Sequence, residues 1–161
     1  MKNPVLPVLL STVLCGCGPA GQRFHGLYAV TGSAHFSIKD FGNYSAPLSD
    51  TFRVSEGTTT DLVLTDPAGT CLLLANVEGE VANLEPGSTC TRSDSGATVT
   101  LTLTSGTVSF SGMSARLHMS GIATATAQGK LHPGSFFQSA TLTRMGEATA
   151  TGSVNRGRGT F

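Results

Sequence analysis

Ala97-Thr98-Val99-Thr100-Leu101-Thr102-Leu103-Thr104-Ser105-Gly106-Thr107-Val108-Ser109-Phe110-Ser111-Gly112 alternates apolar residues with hydroxyl-bearing ones. Successive side chains of a β-strand point to opposite faces, so the pattern sets Val99, Leu101 and Leu103 on one face and threonines on the other. A helix would scatter the same residues around its axis. Ser105-Gly106 has turn chemistry, and the stretch 97–112 reads as a tight hairpin of two strands.

The two-residue period recurs on both sides of this stretch. Tyr28, Val30, Ala34, Phe36 and Ile38 oppose Thr31, Ser33, His35, Ser37 and Lys39. Leu117, Met119, Ala123 and Ala125 oppose Arg116, His118, Ser120, Thr124 and Thr126, with Gly121 a site for a bend or bulge. Phe136, Ala140 and Leu142 oppose Phe137, Ser139, Thr141 and Thr143, and a last alternation runs through Ala148, Ala150 and Val154. Weaker strands are predicted at 51–55, 59–65, 71–76 and 80–84. Turn signals fall at Asp66-Pro67-Ala68-Gly69, Glu78-Gly79, Pro86-Gly87-Ser88 and Pro133-Gly134-Ser135, with a longer loop at 40–50. The expected fold is all-β, an antiparallel meander of about eight to ten strands closed as a β-barrel, with a β-sandwich as the alternative. Residues 24–154 form the single domain, and 155–161 a flexible tail.

Composition agrees with a sheet: Ser and Thr make up roughly a quarter of the chain, and Trp is absent. The N-terminus reads differently. Met1-Lys2-Asn3 is followed by an apolar run from Val5 to Leu14, too short to span a membrane and broken by Pro4 and Pro7. It ends in Leu14-Cys15-Gly16-Cys17, which resembles the lipobox of bacterial lipoproteins, with an ordinary cleaved signal as the alternative. The resemblance implies a signal peptide at 1–16, lipid on Cys17 and a tether at 17–23. It also implies attachment to the bacterial cell envelope, since several acyl chains hold a protein stably on a membrane. Gly18, where an Asp would favour inner-membrane retention, points to the outer membrane.

Processing would leave nine basic residues against ten acidic ones once Lys2 is lost, which gives no basic field for nucleic acid. It would also leave Cys71 and Cys90 as the remaining cysteines in an oxidising compartment, hence one disulfide. Neither has zinc-ligand spacing, and no metal or cofactor is expected. His25, His35, His118 and His132 are scattered, and Glu56, Asp61 and Asp66 sit in turn-rich segments. No catalytic motif is present. The G-x-G-x-x-G spacing over 16–21 lacks the strand and helix that would make it a nucleotide fingerprint, and Arg156-Gly157-Arg158-Gly159 is a lone basic unit in the tail.

Gly26-Leu27-Tyr28 resembles the G-x-W opening of lipocalin-like (calycin) barrels, with Tyr in place of Trp, and Arg144 follows a late strand where that family places an arginine over the aromatic. The resemblance implies that Tyr28 and Arg144 form a barrel-closing pair and that the interior receives a small apolar ligand. The expected function is an envelope-anchored, non-catalytic binding or structural domain. The alternatives are a lipocalin-like carrier and a hydrolase with an unrecognised site. The partners expected are the membrane, through Cys17, and either a small apolar ligand or an envelope protein.

Overall fold

A computed structural model describes residues 20–94 and 97–145, so Cys17, the segment before it and the alternation from Ala148 to Val154 lie outside the described residues. A 3-10 turn, Gln22–Phe24, precedes nine strands: β1 Gly26–Ile38, β2 Gly42–Glu56, β3 Leu62–Thr65, β4 Cys71–Glu78, β5 Val81–Leu84, β6 Thr89–Asp94, β7 Ala97–Ser111, β8 Ser114–Ala127 and β9 Lys130–Arg144. The protein is all-β, and among the described residues no helix is long and apolar enough to cross a membrane.

Every pairing is antiparallel, and the pairings close a ring through β1, β2, β3, β4, β5, β7, β8 and β9 back to β1. β6 also lies between β4 and β7, pairing Cys90 with Cys71 on one side and Thr89–Asp94 with Ala97–Thr102 on the other. β5 and β6 therefore share one place in the ring, end to end, split by the excursion Glu85–Ser88. Direction must alternate all the way round a closed antiparallel sheet, so an even number of places is required, and the split strand provides it. The excursion leaves no backbone debt: Gly87 N–H donates to Leu103 O, Leu103 N–H to Ser88 O, and Leu74 N–H to the buried Ser88 hydroxyl.

Three expectations are corrected. Residues 97–112 are not a hairpin. β7 runs continuously, and between Leu103 and Ser105 its register against β8 slips by one residue, a β-bulge. That slip is why the apolar residues change from odd positions (Val99, Leu101, Leu103) to even ones (Val108, Phe110). The turn comes later, at Gly112, in the left-handed conformation with φ 59°. The segment 40–50 is not a long loop, because all but its first two residues belong to β2, paired with β1 from Ile38↔Gly42 to Gly26↔Val54. Pro47 obscured it, yet proline is accommodated on a strand whose other edge is free. Pro133-Gly134-Ser135 lies inside β9. Pro133 O accepts from Lys39 N–H, so the missing N–H points to the same side, just past the end of β1, where no ladder partner is lost. The chain turns instead at Gln128-Gly129, where both residues have positive φ.

The inward face is apolar and divides in two. Around the 3-10 turn it is tightly filled: Val30, Val54, Leu62, Leu64, Leu73, Val108, Leu117 and Leu142 are all below 2 % exposed. Phe24 stacks on Phe110 with ring centroids 4.0 Å apart, and Tyr28 meets the same ring edge-on. Toward the far end of β1 the inward residues become smaller or less enclosed, among them Ala34, Leu48, Val99, Leu101, Ala123 and Ala125. Gly121 lets the sheet fold tightly at this boundary, since a Cβ there would collide with Thr102 O.

Candidate functional site

The less filled half contains a cavity of about 310 Å³ between β1 and β2 on one side and β6 and β7 on the other. Its opening follows from strand length. β2 pairs with β3 only from Arg53 onward, leaving its edge from Gly42 to Phe52 without a strand partner, and β6 is in register with β4 only at Thr89 and Cys90. Thr91 N–H still reaches Thr70 O, but beyond it the two strands diverge and their edges border a slit into the cavity. Asp50 on β2 and Arg92 on β6 form an ion pair across this slit. The Cys71–Cys90 disulfide sits at its closed corner, joining residues that are register partners across β4 and β6.

The walls are mainly apolar and include Phe36, Leu48, Phe52, Val99, Leu101 and Met119. Against this background three polar residues occupy inward positions of their strands. Asp50 falls in phase with Leu48, Phe52 and Val54, and Arg92 faces Val99. Gln138 lies between Phe136 and Ala140 in the inward phase of β9, is 5 % exposed and lines the cavity. Its amide forms no hydrogen bond with any described residue and, unlike His25 Nε2, is not sealed from solvent, so it faces the cavity, where water or a ligand group can meet it. The signal was present in the sequence as one polar residue in an apolar phase, Phe136-x-Gln138-x-Ala140-x-Leu142.

Asp66, on the β3–β4 turn, also borders the cavity. Burial pushes its carboxyl up, but the hydrogen bonds it accepts from the Thr70 hydroxyl (2.6 Å) and Cys71 N–H (2.8 Å) outweigh this and hold it below the ordinary value. Asp61 is also engaged, accepting from Val77 N–H at 2.8 Å. Glu56, Asp61 and Asp66 do not converge.

Tyr28 and Arg144 are register partners at the opposite end. The Tyr28 hydroxyl donates to Phe24 O at 2.9 Å, and the Arg144 guanidinium donates to His25 O and Arg23 O. Both side chains thus fasten the 3-10 turn as a plug over the filled half. Burial raises the Tyr28 pKa, partly offset by the Arg144 charge. His25 lies at this plug with a buried Nε2 that has no partner. His35 and His118 stand on the outer face and flank Phe137, each ring 6.4 Å from it. The His35 ring nitrogens meet Ser45 Oγ (2.7 Å) and Ser33 Oγ (3.3 Å), whereas His132 meets Asp40 (3.0 Å) at the hairpin tips. Among the described residues no group of three or more His, Cys, Asp or Glu side chains is placed to hold a metal.

No protein-family model matches the chain, and no curated protein or solved structure is significantly similar to it.

Proposed function

We propose that this protein is a lipoprotein of the bacterial cell envelope whose β-domain binds a small, largely apolar molecule in the cavity behind the β2–β6 slit. The observation that carries the reading is the Gln138 amide, which faces a mainly apolar cavity with no hydrogen-bond partner among the described residues. A hollow made only of apolar side chains could be a packing defect. A polar amide facing into it and free to bond a guest is the arrangement of ligand pockets, in which apolar walls supply affinity and a few polar groups fix orientation. The Leu14-to-Cys17 motif supports anchorage through lipid on Cys17, with the outer membrane as the destination.

Native mass spectrometry of the protein purified from its own host tests the binding reading. A retained small molecule of a few hundred daltons supports it, and its loss on filling the cavity with Ala34→Phe would locate it. Apoprotein with a co-purified protein would instead favour an envelope interaction domain, a reading supported by the outer-face strip in which the exposed Phe137 is flanked by His35 and His118. Labelling with a clickable fatty acid tests the anchor: the label is expected on the native chain and absent from Cys17→Ala.

A further inference from the structure

We infer that the cavity selects uncharged amphiphiles over the corresponding carboxylates, seating a hydroxyl or carbonyl group on Gln138. The inference rests on the ligand-binding reading above and adds the chemistry of the head group. The described charged side chains lining the cavity are Asp50, Asp66 and Arg92. Arg92, the single cation among them, is already paired with Asp50. Asp66 keeps its charge because its oxygens accept hydrogen bonds from Thr70 and Cys71. A ligand carboxylate at the slit would therefore meet two carboxylates and would have to displace one of them to reach the only guanidinium. Carried deeper, it would lie beside Gln138, Met119, Phe52 and Ala34, all about 95 % buried or more, where desolvating a charge without a counter-ion is expensive.

An uncharged group meets none of these penalties. The Gln138 amide offers both a donor and an acceptor, so it satisfies a hydroxyl or a carbonyl alike, and the ligand group takes the place of the water that otherwise meets the amide. The volume of about 310 Å³ is that of roughly ten liquid waters, which fits a body of on the order of ten heavy atoms. An ammonium head is compatible with the mouth but not with the floor.

The test is isothermal titration of the full chain with decan-1-ol, decanoate and decylamine at neutral pH. Decanol is expected to bind at least tenfold more tightly than decanoate, and decylamine to fall below decanol. Gln138→Leu, checked for folding by circular dichroism, should lower decanol affinity about tenfold. Asp50→Asn frees Arg92 and should raise decanoate affinity several-fold relative to decanol, a change of ratio that misfolding cannot mimic. Decanoate binding as tightly as decanol, or undiminished decanol binding by Gln138→Leu, overturns the selectivity and leaves the cavity reading standing. If none of the three probes binds, the ligand-binding reading falls, and the selectivity with it.

Discussion

Tyr28 shows how one side chain can tie a fold shut. Its ring packs against Phe110 while its hydroxyl holds Phe24 O, so the phenol links the start of β1 to the plug that covers it. Tyr28→Phe keeps the ring and removes the bond, and should cost about 1 kcal/mol in urea unfolding. The pH dependence has a definite sign. A phenol whose folded pKa is raised stabilises the protein below its ordinary value of 10.0 and loses that contribution as pH rises through the folded pKa. Stability should thus fall on the alkaline side of pH 10 in the native chain and fall less in Tyr28→Phe. Gly121 belongs to the same scale. Gly121→Ala puts a methyl group against Thr102 O and should cost about 1–3 kcal/mol, visible as a lowered melting temperature. Tyr28 and Arg144, which the G-x-W-like opening and a late arginine bring together in the sequence, stand as register partners at the start of β1 and the end of β9. Gln138, Asp50 and Arg92 belong to no motif, and only the pairing of β9, β2 and β6 into one sheet sets them on a shared cavity.

Among the elements, the strands with strict alternation are legible as strands, and apart from β6 the differences concern where one strand ends and the next begins. Turn chemistry at Ser105-Gly106 and Pro133-Gly134 is locally real, but long-range pairing overrides it, with β7 matched to β8 and β9 to both β1 and β8 over nearly their whole lengths. A reversal at either point would leave those ladders unpaired. The change of phase between Leu103 and Val108 is the same for a two-residue hairpin, which would set 103 opposite 108, as for an inserted residue, so the alternation alone does not separate them; the continuous pairing of β7 with β8 does. β6 was missed because Thr89–Asp94 is polar and its place in the sheet depends on β4 and β7. The disulfide matters most there. Only two register pairs join β4 to β6, so the Cys71–Cys90 bond carries much of that junction. The double variant Cys71→Ala/Cys90→Ala should lose about 3 kcal/mol in chemical denaturation. Because the bond sits at the corner of the slit, ligand retention should weaken with it. Asp50 and Arg92 have a second effect at this scale, since inward-pointing charges on free strand edges discourage pairing with another chain.

Across the whole molecule, a filled half and a hollow half meet at the level of the β7 bulge, the Glu85–Ser88 excursion and Gly121. Opening of the hollow half exposes fewer large apolar side chains, so its amide protons should exchange with deuterium sooner than those of the filled half. Amides of β3 and of β4 near Leu73 are expected to be protected longest, and those of the β1–β2 tip shortest; equal protection in the two halves would contradict the division. The plug has a consequence for direction. The chain enters the domain at the 3-10 turn, beneath the filled half, while the cavity meets β1 at Ala34 and Phe36, eight to ten residues or roughly 25–35 Å of strand beyond Gly26. Whatever holds the segment before Ala20 holds the molecule by its closed base. A molecule tethered there would hold its slit in the side wall, away from the anchoring layer, so anything bound behind it would exchange with the surrounding water or a visiting protein before meeting that layer.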